Sequence, residues 1–126
     1  MRKVWIIDDD QDMVGAIRLM VKMLEYEERH FFSARLAAQA LLGGGCPDLF
    51  ILDINMPEVS GLDFLEFLRH RKDWKDLPVV MLSTEAADVT VDKAMAIGAD
   101  AYVTKPVALE ELENAMKKAF AAHGRQ

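Results

Sequence analysis

Residues Leu49–Gly61 have the sequence LFILDINMPEVSG, which contains the strongest signals of the fold in the chain. Its first four residues are apolar, as in a strand that is buried on both faces of a sheet. Asp53 follows them directly, and a carboxylate beside a buried strand is costly unless another group neutralises it. Ser60 and Asp63 then form a capping-box-like pair at the start of a helix. The stretch therefore predicts a strand, an acidic site and a helix in succession.

Short apolar runs alternate with segments of helical periodicity along the rest of the chain. The predicted strands are 4–7, 29–32, 49–52, 79–82 and 101–104. The predicted helices end near Leu24, Leu42, Leu68, Ile97 and Ala122, and the fourth begins near Val91. This alternation predicts an α/β fold with a doubly wound, five-stranded parallel sheet covered by helices on both faces. The second strand is the most polar and is expected at a sheet edge.

Composition indicates one globular domain over residues 1–126, with 52% hydrophobic and 29% charged residues. A net charge of −6 argues against direct nucleic-acid binding, which needs a clustered basic surface. The single cysteine, Cys46, excludes an internal disulfide and a cysteine-based metal site. No apolar run approaches the roughly 20 residues that span a bilayer, and no signal peptide is recognised. The expected location is the cytoplasm, with no membrane partner.

Polar side chains follow four of the predicted strands, at the edge of a parallel sheet where ligands bind. These residues are Asp8, Asp9 and Asp10 after the first strand, Asp53 after the third, Ser83 and Thr84 after the fourth, and Lys105 after the fifth. Each of these residues also has a purely structural explanation. Asp10 or Gln11 could simply cap the first helix, and a lone serine, threonine or lysine is most often an ordinary solvated or loop residue. Taken together, carboxylates within about 4–6 Å repel one another by several kcal/mol and need a cation. Mg²⁺ with oxygen ligands fits this need, and Lys105 and Ser83 suit a phosphoryl group.

These residues resemble, over essentially the whole chain, the receiver domain of bacterial two-component response regulators, which has the CheY-like fold. The matching segments are WIIDDD, LFILDINMPEVSG, PVVMLST, GADAYVTKP and the closing amphipathic helix. The resemblance implies a sheet with strand order 2-1-3-4-5. It also implies a signalling switch rather than an enzyme, one that catalyses only its own phosphorylation and a slow dephosphorylation.

The resemblance assigns Asp53 as the phospho-acceptor and as a ligand of a Mg²⁺ or Mn²⁺ cofactor. Asp9 would bind the metal directly and Asp8 through water. The backbone carbonyl of Asn55 would be a further ligand, and Thr84 would also border the bound group. Phosphorylation would add negative charge and acceptor oxygens at Asp53.

The resemblance also supplies a switch. Ser83 would move towards the phosphoryl group, Lys105 would pair with it, and the Tyr102 ring would respond by changing rotamer. The surface of the fourth helix, fifth strand and fifth helix would then change. A cis peptide bond is expected before Pro106, and Asn55 and Glu85 would flank the path of the hydrolytic water.

The implied partners are a sensor histidine kinase or a histidine phosphotransfer protein as donor, and an effector protein or fused output domain as target. A transient dimer on phosphorylation is a further expectation. The charges of the symmetric dimer found in the DNA-binding subfamily are only partly present. Lys93, Asp100 and Glu111 fit that pattern, and Ala101 and Ala115 do not.

Two other functions remain open at this point. A haloacid-dehalogenase-like phosphatase would use Asp8, Asp10, Ser83 and Lys105, but Asp53 would then have no task. A pseudo-receiver that only binds partners normally lacks one of the acids or the lysine, and none is missing here. A Rossmann-type nucleotide site is disfavoured because the glycines at 43–45 follow a helix rather than a strand.

Overall fold

A computed structural model describes residues 1–84 and 88–125 of the chain. Its strands are β1 (Lys3–Ile7), β2 (Glu27–Phe31), β3 (Leu49–Asp53), β4 (Val79–Ser83) and β5 (Ala101–Thr104). Its helices are α1 (Gln11–Met23), α2 (Ala34–Leu42), α3 (Gly61–Arg69), α4 (Asp88–Ile97) and α5 (Leu109–Ala122). The strict alternation predicted from the sequence is confirmed.

The strands form one parallel sheet in the order β2-β1-β3-β4-β5, as predicted. One face packs on α1 and α5 through a cluster that includes Ile17 and Leu112. The other face packs on α2, α3 and α4 through a second cluster that includes Leu41, Phe64 and Ala94. Because both faces are covered, β3 and β4 are buried at every residue, which explains their continuous apolar sequences.

Two predicted elements begin two or three residues away from the structure's boundary, and the other strand boundaries agree to within one residue. The second strand is Glu27–Phe31 rather than 29–32, because Glu27 and Glu28 pair with β1 despite their charge. This is possible at a sheet edge, where Glu28 forms an ion pair with Arg18 of α1 at 2.8 Å. The fourth helix begins at Asp88, three residues before the predicted start at Val91.

Serine side chains cap α2 and α3, and for α3 this confirms the cap predicted from Ser60. Ser33 caps α2 by accepting a hydrogen bond from the backbone N–H of Leu36, and Ser60 caps α3 by accepting one from that of Asp63. The second cap fixes the course of the chain from the end of β3 into α3, immediately beside Asp53.

A polar cluster lies at the end of the sheet where β4 and β5 begin. The Asp100 carboxylate accepts hydrogen bonds from Arg69 at 3.1 Å and from the backbone N–H of Val79 at 2.8 Å. His123 Nε2 lies 2.9 Å from the same carboxylate. These contacts join α3, β4 and the end of α5, so Asp100 is engaged within the chain.

α5, the longest helix in the described part of the chain, has 14 residues. Within residues 1–84 and 88–125, no helix combines the length and the apolar character needed to cross a bilayer.

Candidate phosphorylation and metal site

Three carboxylates meet at the carboxyl edge of the sheet. Asp8 and Asp9 directly follow β1, and Asp53 is the last residue of β3, the strand that pairs with β1. One carboxylate oxygen from each of the three residues lies within 4.8 Å of the other two. Asp8 and Asp53 are buried, whereas Asp9 is exposed. The strands therefore bring together the acids that the sequence analysis selected.

Lys105 supplies a counter-charge to the two buried acids. Its Nζ atom lies 2.8 Å from Asp8 Oδ2 and 3.4 Å from Asp53 Oδ1. The backbone N–H of Lys105 donates to the carbonyl of Ser83 at 2.8 Å, which ties the start of the β5–α5 loop to the end of β4. The Lys105–Pro106 peptide bond is cis, as predicted.

The electrostatics of the site leave the acids partly uncompensated. Burial, followed by repulsion from Asp8, raises the pKa of Asp53 to about 6, although Lys105 opposes the rise. Burial would lower the pKa of Lys105, but its contacts with Asp8 and Asp53 outweigh burial and raise it. Among the described residues, the cluster contains the carboxylates of Asp8, Asp9 and Asp53 and the ammonium group of Lys105. At a separation of 4.8 Å, two ionised carboxylates repel by roughly 3 kcal/mol at an effective dielectric of about 20.

The donor set fits a hard divalent cation. Asp8 Oδ2 is buried, and among the described residues its polar contact is the Lys105 ammonium group at 2.8 Å. Asp8 Oδ1 already accepts a hydrogen bond from the backbone N–H of Asp10, at 3.0 Å. Several converging carboxylate oxygens with spare acceptor capacity are the ligands that Mg²⁺ prefers. Asp8, Asp9 and Asp53 are thus the residues that could hold a metal.

The remaining predicted site residues lie around this cluster. Ser83 is fully buried at the end of β4, one position beyond the residue in register with Asp53. Thr84 and Asn55 are exposed at the mouth of the site. Tyr102 is half-buried on β5 and packs against the core cluster that includes residues of α3 and α4. The predicted neighbour Glu85 lies outside the described residues.

Exposure differs along the surface that α4, β5 and α5 present. Met95 and Glu111 are exposed, Val91 is half-buried, and Val103 is buried. Val103 therefore belongs to the core and not to the outer surface.

Asp10 is the N-cap of α1 and is not one of the three clustered acids. Its side chain accepts hydrogen bonds from the backbone N–H groups of Asp12 and Met13, at 3.0 and 3.2 Å, and so caps α1. A haloacid-dehalogenase-like phosphatase would need this carboxylate for catalysis. Its engagement as a cap weakens that alternative.

From the sequence, Gly61 is expected only to lie at the start of the third helix. In the structure, a Cβ atom on Gly61 would clash with the backbone carbonyl oxygen of Asp53. The N–H of Gly61 also donates to the carbonyl of Ile54 at 2.9 Å. Only glycine lets α3 begin this close to the end of β3, so Gly61 fixes the backbone that carries Asp53. The Ser-Gly pair before a helix was the available signal, but it does not reveal such a contact.

Comparison with known proteins identifies the chain's relatives. The response regulator receiver domain family matches residues 4–117. The transcriptional regulatory protein BasR of Escherichia coli is 34% identical over 126 residues, covering 98% of this chain and 54% of BasR. The chemotaxis protein CheY-3 of Vibrio cholerae is 29% identical over 118 residues, covering 94% of this chain and 91% of CheY-3.

A solved structure of another chemotaxis protein has the same fold. The solved structure of chemotaxis protein CheY4 from Vibrio cholerae superposes with a TM-score of 0.85 at 28% identity, covering 94% of this chain and 98% of CheY4. The chain spans only 17% to 54% of the length of three of its curated relatives, BasR among them.

Proposed function

The chain belongs to the response regulator receiver domain family, and from that premise we propose that Asp53 accepts a phosphoryl group and thereby switches the domain. The observation that carries the proposal is the cluster of Asp8, Asp9 and Asp53, whose oxygens converge within 4.8 Å. Lys105 contacts two of these acids from the loop that follows β5. Receiver domains are signalling domains, so the only chemistry proposed is the chain's own phosphorylation and a slow loss of that group.

In the proposed reaction, a carboxylate oxygen of Asp53 attacks the phosphorus atom of a phosphohistidine or of a small acyl phosphate. The new O–P bond forms while the P–N bond, or the P–O bond to the acyl group, breaks. The electron pair of the broken bond stays with the imidazole nitrogen or the acyl carboxylate. Asp53 must be ionised to attack, and a pKa of about 6 leaves it mostly ionised at neutral pH.

The residues around Asp53 position and neutralise the transferred group. The β3 strand holds Asp53 at the sheet edge, and Lys105 is placed to pair with an incoming phosphoryl oxygen. A Mg²⁺ or Mn²⁺ ion held by Asp8, Asp9, Asp53 and the carbonyl of Asn55 would supply further positive charge for the phosphoryl oxygens. Phosphoryl transfer depends largely on such positioning and neutralisation.

The proposed switch runs from Ser83 to Tyr102. A phosphoryl group at Asp53 offers new acceptor oxygens, and Ser83 and Lys105 would move to meet them. Ser83 is fully buried, so its displacement would change the packing available to the half-buried Tyr102 ring. Thr84, at the mouth of the site, would move with Ser83. The consequence would be a changed α4–β5–α5 surface.

The partners are proposed from the family alone. A sensor histidine kinase or a histidine phosphotransfer protein would donate the phosphoryl group in the cytoplasm. The receiver would act on a separate effector protein or on a fused output domain. BasR is named a transcriptional regulatory protein and CheY-3 a chemotaxis protein, so the relatives differ in what they regulate. A transient dimer on phosphorylation is a further proposal, and Asp100, which fits the charge pattern of the symmetric dimer, also contacts Arg69 and His123 within the chain.

The proposal is tested by incubating the protein with acetyl phosphate, with and without Mg²⁺, and measuring its intact mass. The expected result is a Mg²⁺-dependent gain of one phosphoryl group that is lost in Asp53→Asn. Asp63→Asn is the matched control, because Asp63 is an exposed aspartate in the first turn of α3.

Each alternative predicts a different outcome of the same experiment. Sustained turnover of phosphate monoesters that depends on Asp8 would favour a phosphatase. No adduct together with no Mg²⁺ binding would favour a pseudo-receiver that only binds partners. An adduct of equal yield in Asp53→Asn would also contradict the proposal.

A further inference from the structure

His30 contacts the acidic site from the neighbouring strand, a contact that the sequence analysis did not anticipate. Its Nε2 atom lies 2.8 Å from the backbone carbonyl oxygen of Asp8. The N–H of Asp8 donates to the carbonyl of Phe31 at 3.1 Å, and Asp8 Oδ1 accepts from the N–H of Asp10 at 3.0 Å. Asp8 is therefore held by its amide, its carbonyl and its carboxylate at once. The contacts of the amide and of the carbonyl both come from β2.

The chemistry of the contact fixes the role of the imidazole. A backbone carbonyl oxygen can only accept, so His30 Nε2 carries the hydrogen in this contact and donates it. The ring of Phe32 packs edge-on against the His30 ring, with centroids 4.2 Å apart and an interplanar angle of 80°. Phe32 is itself 47% exposed. The aromatic neighbour limits the rotamers of the histidine and so favours the orientation that reaches Asp8.

The position of this hydrogen bond matters because the β1–β2 ladder ends there. The register between the two strands runs no further than Ile7 and Phe31. Beyond it the chain leaves the sheet and forms the loop that carries Asp8 and Asp9. The His30 side chain thus provides a donor where the strand backbone no longer does. It restrains the peptide that joins Asp8 to Asp9.

We propose that His30 is a positioning residue, which holds the Asp8–Asp9 peptide in the conformation that binds a divalent cation. This inference rests on the proposed function, since it concerns the metal of the same site. A pre-arranged ligand loop binds a cation more tightly, because less conformational freedom is lost on binding. Groups that orient metal ligands from outside the coordination sphere typically change metal affinity by about 10- to 100-fold. The effect here is expected at about 3- to 10-fold, because His30 contacts the backbone and not a ligating oxygen.

The test compares the Mg²⁺ affinity of the wild-type chain with that of His30→Leu and His30→Gln by calorimetric titration at neutral pH. His30→Leu removes the donor and is expected to weaken Mg²⁺ binding by about 3- to 10-fold. His30→Gln retains an N–H donor and is expected to recover most of the affinity. The control is His70→Leu, because His70 Nδ1 also lies 2.8 Å from a backbone carbonyl, that of Glu66, but far along the chain from the acids. It should leave the affinity unchanged.

A second measurement tests the rigidity of the Asp8–Asp9 loop in the absence of metal. Amide hydrogen exchange of the metal-free protein is expected to accelerate in the peptide that covers Asp8–Asp12 in His30→Leu, while exchange in β3 and β4 stays at the wild-type rate. Phe32→Ala should produce the same change at a smaller size. If Phe32 acts through the imidazole, its substitution should have no further effect in a chain that already carries His30→Leu.

The outcomes separate this inference from the proposed function. Wild-type Mg²⁺ binding with equal affinity in His30→Leu would overturn the role of His30 and leave the proposed function standing. Wild-type protein that binds no Mg²⁺ would overturn both. Weakened binding in His30→Gln equal to that in His30→Leu would also overturn the inference, because a retained donor would then have no effect.

Discussion

Replacing Asp53 with asparagine is expected to stabilise the protein at neutral pH when no divalent cation is present. The substitution keeps the size of the side chain and removes a buried negative charge that faces the Asp8 carboxylate. Lys105 keeps its shorter ion pair with Asp8, at 2.8 Å, so the ammonium is not left alone. Of the two buried acids, Asp53 has the longer contact with Lys105, at 3.4 Å, so the substitution removes the less compensated of these two charges.

The size of the effect follows from the raised pKa of Asp53. Its value of about 6, against 3.8 for an ordinary aspartate, means that the folded protein holds this proton more tightly than the unfolded chain does. Wild-type stability therefore falls as pH rises through the window from about 4 to about 6, and the full penalty is present above it. A tenfold change in proton affinity corresponds to about 1.4 kcal/mol, so the rise from 3.8 to about 6 corresponds to about 3 kcal/mol. This value is an upper limit because solvent screens the charge, and the expected destabilisation is roughly 1 to 3 kcal/mol.

Urea denaturation of the wild type and of Asp53→Asn in a chelating buffer measures this difference. The variant should be more stable by roughly 1 to 3 kcal/mol at about pH 7.5, and the two proteins should converge near pH 4. Asp12→Asn is the control, because Asp12 is an exposed aspartate in the first turn of α1; its effect should stay within about 0.5 kcal/mol. A variant that is less stable at about pH 7.5, or a gain of equal size near pH 4, would refute the reasoning.

The remaining predictions concern the backbone and the counter-charge of the site. Gly61→Ala should lower the free energy of unfolding by about 1–3 kcal/mol, because its Cβ meets the carbonyl of Asp53, whereas Gly15→Ala in an open part of α1 should raise it by about 0.5–1 kcal/mol. Urea denaturation of both variants checks this pair, and equal effects would contradict it. Lys105→Met should lower stability at neutral pH by about 3 kcal/mol, because Asp8 Oδ2 then has no ion pair within the described ranges. A loss below about 1 kcal/mol in the same assay would show that Lys105 is not needed to neutralise Asp8.

The order of the elements could be predicted because this fold depends on hydrophobic periodicity. The strands at the centre of the sheet are buried on both faces, so continuous apolar runs such as Val79–Leu82 mark them clearly. The edge strand was misplaced by two residues, since one face of β2 is solvated and its charged residues carry no strand signal. Glu28 belongs to that strand because Arg18 neutralises it, a contact between residues ten positions apart that periodicity does not detect.

The candidate site could be predicted in outline for a related reason. In a parallel sheet, residues that follow the strands meet at one edge, so Asp8, Asp9 and Asp53 were expected to converge. The contributions of Gly61 and His30 could not be predicted, because they depend on interatomic distances. Gly61 is required by its approach to the Asp53 carbonyl, and His30 by its reach to the Asp8 carbonyl. Neither contact leaves a pattern in the sequence.

The central claim is that Asp53 receives the phosphoryl group, and direct mapping of the modified residue tests it. The protein is incubated with acetyl phosphate and Mg²⁺, and borohydride then reduces the acyl phosphate before peptide mass analysis. Homoserine is expected at position 53, formed only when Mg²⁺ and the phosphodonor are both present. Reduction at Asp8 or Asp9 instead, or an unmodified Asp53 in a chain that has gained a phosphoryl group, would contradict it.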